Sequence, residues 1–266
     1  MRLINKTVVV AFALICSVAS FSQITLDSIY NKGKFVIGTT GTQPPYSMLQ
    51  KDGSTVIGYE IDIAQNLADA LGVELEVKVM TFEELLPAVN SGKIDAAMSG
   101  ITMTVSRNTG VVFVGPYSFT GKSLIVTKKT LKKINKTNQE NIGELKVSAL
   151  KGSTSETFVK EEFEGAQETF VGTLDEGIKA VQDGTTDAMV ADYPTCVIAA
   201  LKDEDRNLRY LEDPITSEPI GMALGTTDIR LINLVQNYIY FLDYSGELDD
   251  LEYKWYDEGA WLDSVK

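Results

Sequence analysis

The chain contains no histidine. That excludes serine–histidine and cysteine–histidine catalysis, and with them every histidine-ligated metal site. Cysteine is nearly absent too, with two in 266 residues, Cys16 and Cys196. Cations are scarce: 24 Lys and Arg stand against 37 Asp and Glu, a net charge of −13. Such a surface repels nucleic acid and anionic membrane and favours solubility. Long apolar runs are missing as well, except near the start, where Thr7 to Val18 is almost wholly apolar. No metal and no cofactor is expected.

That first run belongs to a segment that reads as a secretory leader. Arg2 and Lys6 give a basic start, and Ser20-Phe21-Ser22 forms a small-x-small cleavage site before Gln23. The apolar run is short for a membrane span of about 20 residues. Ile15 stands just before Cys16, where a lipidation box would need a small residue. Cleavage after Ser22 is expected, and it removes Arg2 and Lys6 but no acid, so −13 becomes −15. Cys196 would then be the only cysteine, and no intramolecular disulfide could form. Export without disulfides fits a bacterial periplasm. With no histidine to activate it, Cys196 reads as a small buried thiol.

What is present is a globular chain, 44% hydrophobic and 23% charged, long enough for one large or two medium domains. Lys34-Phe-Val-Ile-Gly38 reads as a strand, followed by a loop fixed by Gly41, Pro44 and Pro45. Glu60 to Leu71 carries apolar residues at helical spacing and stops at Gly72. Val73 to Val79 alternates like a half-buried strand. Thr81 with Glu84 has the form of a capping box opening a helix that runs to about Ser91-Gly92. Further strands are expected at Ser123 to Thr127, Lys146 to Leu150 and Thr186 to Val190, with a basic polar connector from Lys128 to Asn141. Helices are expected from Ser153 or Thr154 to about Phe163, over Leu174 to Gln182 and over Pro194 to Leu201. The tail from Thr227 reads as helical and ends in Tyr253, Trp255, Tyr256 and Trp261. Alternating strands and helices predict an α/β fold with parallel sheets.

One stretch carries chemistry. Asp95-Ala-Ala-Met-Ser-Gly-Ile-Thr-Met-Thr-Val-Ser-Arg107 runs from a buried strand into the small pair Ser99 and Gly100. It continues through hydroxyls at Thr102 and Thr104 to a cation at Arg107. Small residues expose backbone N–H groups, hydroxyls donate, and a guanidinium grips a carboxylate with two parallel hydrogen bonds. The stretch reads as an oxyanion clamp. It also has an echo: Phe82 to Gly100 aligns without a gap on Leu174 to Asp192, matching Glu84/Glu176, Ala88/Ala180, Val89/Val181, Gly92/Gly184, Asp95/Asp187 and Ala96/Ala188. Two similar lobes follow. Ligands of open α/β sheets bind beyond the carboxyl ends of strands, where the echo puts Ser99-Gly100 in one lobe and Asp192 in the other. A carboxylate clamp facing an anion suits a zwitterion. Taken alone, Asp192 also reads as a helix cap before Tyr193-Pro194, and Tyr46 and Phe82 as core aromatics.

From about Lys34 to Trp261 these residues resemble the periplasmic solute-binding proteins of polar amino-acid ABC transporters. The resemblance rests on Ile37-Gly-Thr39 with Pro44-Pro45-Tyr46, Gly58-Tyr-Glu-Ile-Asp-Ile-Ala64, and Phe82 with Leu85-Leu-Pro-Ala88. Ser91-Gly92 with Asp95, Gly100-Ile-Thr-Met-Thr104 with Arg107, and Lys151-Gly-Ser-Thr154 complete it. No one motif is specific; their order over nearly the whole mature chain is.

The resemblance implies a two-lobed periplasmic binding protein of type II, with a ligand cleft between two Rossmann-like lobes that close like a hinge. Lobe 1 would comprise residues 23–119 and 215–266, and lobe 2 residues 120–214, crossing near Ser118–Gly121 and Pro214–Ser217. Arg107 would pair the α-carboxylate of an L-amino acid, helped by Thr102, Ser99 and Gly100 and by an N–H of Thr154 at a helix start. Asp192 would bind the α-ammonium, Tyr46 and Phe82 would wall the side-chain pocket, and Gln43 would contact the ligand. Many relatives carry an acid where Thr40 stands, so a neutral or polar amino acid is expected rather than a basic one. The partners implied are that amino acid and a membrane permease, with the protein itself a monomer. Two other readings fit the scaffold: a cyclohexadienyl dehydratase, which needs a general acid in the cleft, and a sensory input module.

Overall fold

The computed structural model describes residues 24–136 and 144–265. The expected leader, residues 1–22, and the end of the basic connector, residues 137–141, lie outside the described residues. Among the described residues, no helix is long and apolar enough to cross a membrane.

The first lobe begins with α1 (Leu26–Lys32), which stops at Gly33 in the left-handed conformation and turns into β1 (Lys34–Thr39). A small antiparallel sheet follows, β2 (Thr42–Gln43), β3 (Ser47–Leu49) and β4 (Val56–Ile57). Helix α2 (Tyr59–Leu71) buries Ile63, Ala64, Leu67 and Leu71, the stripe read from the sequence, and ends at left-handed Gly72. Strand β5 (Glu74–Val79) pairs only with β1, so it lies at the sheet edge, and Val79 is 49% exposed where alternation predicted an inward side chain. Helix α3 (Phe82–Asn90) opens with the Thr81/Glu84 box: Glu84 accepts from the Thr81 N–H at 3.0 Å and from its hydroxyl at 2.8 Å. Then come β6 (Ala96–Ala97), the short helix α4 (Val105–Asn108) and β7 (Val112–Thr120).

The chain next enters a second sheet through β8 (Lys122–Thr127). The basic connector starts as a helix, α5 (Lys128–Lys136), because Leu131 and Ile134 pack on the core of this lobe. Strand β9 (Lys146–Leu150), α6 (Thr154–Glu162), β10 (Gln167–Val171), α7 (Leu174–Gln182), β11 (Ala188–Asp192), α8 (Tyr193–Lys202) and β12 (Leu208–Tyr210) complete it. Returning to the first sheet, β13 (Glu218–Leu224) is followed by α9 (Ile229–Ser245) and α10 (Glu247–Glu252). In the aromatic tail, Trp255 donates to Asp62 at 2.7 Å and Trp261 to the Trp255 carbonyl at 3.0 Å, closing the tail over α2.

The two large sheets run β5-β1-β6-β13-β7 and β10-β9-β11-β8-β12. In each, four strands run one way and one runs against them, β13 in the first sheet and β8 in the second. The expectation of parallel sheets therefore holds for the direction of four strands in five, and for the direct pairing of β5-β1-β6 and β10-β9-β11. The antiparallel members flank the passages between sheets. A strand entering or leaving there has no helical crossover to reverse it, as parallel pairing requires.

The internal echo extends to single hydrogen bonds. Asp95 exchanges bonds with Val36, its N–H donating to the carbonyl at 2.7 Å and its carboxylate accepting the N–H at 2.7 Å. Asp187 does the same with Lys146, at 2.8 and 2.9 Å. Each aspartate thus ties the turn before a central strand to the first residues of its neighbour.

Candidate functional site

Beyond the carboxyl ends of the central strands, a tight cavity of about 20 Å³ lies between the lobes. Gln43, Phe82, Gly100, Thr102 and Arg107 line it from the first lobe. Lys122, Leu150, Ser153, Thr154, Ser155, Leu174, Ala191, Asp192 and Thr195 line it from the second.

Arg107 is positioned by α4, whose cap residue Thr104 accepts from the Arg107 N–H at 3.1 Å. Its guanidinium lies 5.6 Å from the centre of the Phe82 ring. It donates to the Thr102 carbonyl at 3.0 Å and, across the cleft, to the Gly152 carbonyl at 3.1 Å. Burial lowers its pKa and the charges of Asp192 and Glu218 raise it in part, but an arginine stays protonated in proteins. Among the described residues no carboxylate lies within ion-pair distance of it. Three of its five N–H donors are unspent, which is the condition for gripping an anion bidentately.

On the other side, Asp192 ends β11 at the cap position of α8, yet its side chain makes no cap bond. It turns into the cleft, where its carboxylate accepts from Lys122 Nζ at 2.6 Å and from Gln43 Nε2 at 3.2 Å. Gln43 Oε1 is buried with no hydrogen-bond partner among the described residues. An acceptor left open beside a carboxylate is the chemistry an ammonium group needs.

Lys122 is 2% exposed at its side chain, and its Nζ also lies 3.1 Å from Glu218 Oε2. Glu218 in turn accepts from the hydroxyls of Thr102 at 2.7 Å, Thr154 at 2.9 Å and Thr216 at 2.9 Å. Burial opposes its ionisation, but Lys122 and these hydroxyls outweigh burial and hold the carboxyl below the usual range. The Thr102 hydroxyl, expected to help hold the ligand, is therefore bonded to a carboxylate of the protein, as is the Thr154 hydroxyl, whose residue was expected to offer its N–H. Helix α6 starts at Thr154 with Ser153 as its cap, the Ser153 hydroxyl accepting from the Glu156 N–H at 3.2 Å. The Thr154 end of this nine-residue helix faces the cavity.

Three expected contacts lie elsewhere. Tyr46 is fully buried behind the cavity, its ring edge-on to Tyr256 at 6.2 Å, so it is a core aromatic and not a wall. The Ser99 hydroxyl is spent on Thr40, accepting its N–H at 3.1 Å and meeting its hydroxyl at 2.9 Å. The Gly100 N–H is not open to a ligand: it donates to both carboxylate oxygens of buried Glu60 at 3.0 Å. Gly100 itself lines the cavity, in the left-handed conformation at φ +59°, where a Cβ would lie 2.5 Å from Gln43 Nε2.

Lys122, Glu218 and Glu60 were missed in the sequence. A buried lysine in a β-branched strand and a glutamate ahead of a proline carry no periodic signal, and Glu60 stands where acids commonly favour a helix start.

Similarity to known proteins completes the picture. The family model described as bacterial extracellular solute-binding proteins, family 3, matches residues 35–258. The chain is 29% identical over 238 residues to the ABC transporter glutamine-binding protein GlnH of Bacillus subtilis (strain 168), covering 88% of this chain and 85% of that one. Among solved structures, the ancestral amino acid-binding protein AncCDT-1, a precursor of cyclohexadienyl dehydratase, is similar at a TM-score of 0.81 and 33% identity, over 88% of this chain and 100% of that one. A putative binding component of an ABC transporter from Wolinella succinogenes DSM 1740, complexed with lysine, is similar at a TM-score of 0.82 and 28% identity, over 88% and 100%.

Proposed function

The chain belongs to the bacterial extracellular solute-binding proteins, family 3, and on that footing we propose that it captures one L-amino acid between its lobes and presents it to an ABC transporter permease. One observation carries the reading: Arg107, with no carboxylate partner among the described residues, faces Asp192 across the cavity between the lobes. The α-carboxylate is assigned to Arg107 and the N-terminal end of α6, and the α-ammonium to Asp192 with Gln43 Oε1. Lys122 keeps Asp192 from being an isolated buried anion before the ligand arrives. The protein works as a periplasmic monomer.

The side chain of the ligand points into the adjoining groove, which shares Gln43, Phe82, Leu150 and Leu174 with the cavity. Thr40 lines this groove, its hydroxyl committed to Ser99. The one carboxylate on its lining, Glu84, is bound to Thr81. A cationic head would find no free buried counter-charge there, which favours a neutral or polar amino acid.

Calorimetry of ligand-stripped protein against the common amino acids tests this. Binding of at least one is expected, and Arg107→Ala should weaken it by about 2–5 kcal/mol. Binding of none, or unchanged affinity in the variant, refutes the reading. Tighter binding of arginine or lysine than of any neutral amino acid refutes only the specificity. No aromatic product is expected from prephenate or arogenate, because the cleft carboxyls, Asp192 and Glu218, are both ion-paired to Lys122 and leave no free acid to protonate a leaving group.

A further inference from the structure

Glu60 is a carboxyl with 0% exposure and no cation within ion-pair distance among the described residues. A glutamate is almost never fully buried unless paired, so its partners matter. It accepts the Gly100 N–H at 3.0 Å on each oxygen and the Tyr117 hydroxyl at 2.5 Å. Gly100 lies against Gln43, whose amide donates to Asp192. Tyr117 lies on β7, and its carbonyl accepts the Tyr59 hydroxyl at 2.6 Å. One buried carboxylate therefore pins the loop under the cavity to the strand that leads out of the first lobe.

We propose that Glu60 is a positioning residue for ligand binding: its ionised carboxylate holds the Gly100 loop, and through it Gln43, in the geometry that receives the ammonium group, and protonating it loosens that geometry. The ammonium end rests on the amino-acid reading above. An ionised carboxylate accepts from Gly100 and Tyr117 together. The protonated acid must also place an O–H, and the Tyr117 oxygen and the Gly100 bond then compete for the same two atoms. The charge of Asp192 opposes ionisation of Glu60, so a cation bound at Asp192 relieves that opposition. By reciprocity, ionised Glu60 strengthens binding of the cation.

Burial pushes the Glu60 carboxyl up to about 7, against the lowering effect of Tyr117 and Gly100. The other groups facing it are Tyr117, Tyr59, Tyr256 and Asp192, and burial moves the three phenols upward, further from neutrality. There is no histidine in the chain, and the carboxyl in contact with the Gly100 amide is Glu60. Its folded value lies above the ordinary 4.5. Its contribution to stability is therefore fully present below that value and is lost as pH rises through about 7. Affinity should move the opposite way.

Two measurements test this. In ligand-free protein labelled with ¹⁵N, the Gly100 amide resonance should titrate between pH 5.5 and 8.5 with a midpoint near neutrality, and Glu60→Gln should abolish that titration. Calorimetry with L-glutamine, or with the amino acid that binds tightest, should show affinity about fivefold or more weaker at pH 5.5 than at pH 8, and a flat profile in Glu60→Gln. A Gly100 amide that does not titrate, or a variant that keeps the pH profile of affinity, overturns the proposal. If the amide titrates and no amino acid binds at any pH, the amino-acid reading fails while the hold of Glu60 on the loop stands. The neutral isosteric glutamine keeps the fold testable, and the urea midpoint at pH 8 should not fall.

Discussion

At Gly58 the backbone takes φ +149°, and a Cβ there would lie 2.1 Å from the Tyr46 carbonyl oxygen. No side chain fits, and the conformation itself belongs to glycine. Gly58→Ala should cost more than about 3 kcal/mol, read as a lower denaturant midpoint in urea. The glycine is a junction: from it the chain enters α2 one residue before buried Glu60. Residues whose chemistry is visible by type could be placed from the sequence, as Arg107, Thr154 and Asp192 were. Residues whose role depends on burial could not. Tyr46 and Phe82 look alike as aromatics flanking a loop, yet Phe82 reaches the cavity and Tyr46 packs on Tyr256. The Gly100 N–H looked open because nothing in the sequence shows that Glu60, forty residues away, is aimed at it.

The helices and strands with a strong period were readable as elements. Helices α3 and α7 begin with the same device, since Thr173 accepts from the Glu176 N–H at 3.3 Å while Glu176 reaches back to the Thr173 N–H at 3.2 Å. Thr81→Ala and Thr173→Ala should each cost about 1 kcal/mol. In thermal melts each should lower the midpoint by about 2–4 °C, and the double variant should sum them, because the caps lie in different lobes. Strands β7 and β13 escaped the sequence reading for a physical reason. Gly115 and Pro116 interrupt the first, Pro219 and Gly221 the second, and the pairing between them slips at Ile220 and Met222. Glycine and proline erase the alternation by which a strand is recognised, yet here they sit in a central strand and its neighbour.

Across the whole molecule, contacts independent of ligand hold the lobes together. The Glu218 carboxylate joins Thr102 of the first lobe, Thr154 of the second, and Lys122 and Thr216 at the passages between the sheets. Thr195 adds a bond from α8 to the Pro44 carbonyl at 2.8 Å. Ligand-free Glu218→Ala should therefore be more open, with a larger radius of gyration by small-angle X-ray scattering. Amino-acid affinity should fall roughly threefold to tenfold as the closed fraction shrinks. Equal radii for variant and parent would show that the latch carries no weight.

The sheet order also bears on how the chain is made. The second sheet is contiguous, complete once Tyr210 has joined. The first is not: β13, which sits between β6 and β7, comes after the whole of the second sheet. A chain emerging amino end first can close its later lobe before its earlier one, and the earlier lobe waits with one edge of β6 unpaired for a strand more than a hundred residues downstream. Pairing at such separation is slow because loop closure precedes any reward. Pulsed hydrogen exchange during refolding should accordingly protect Val147 and Val190 before Ala97 and Ala223, so that the younger half of the molecule matures first.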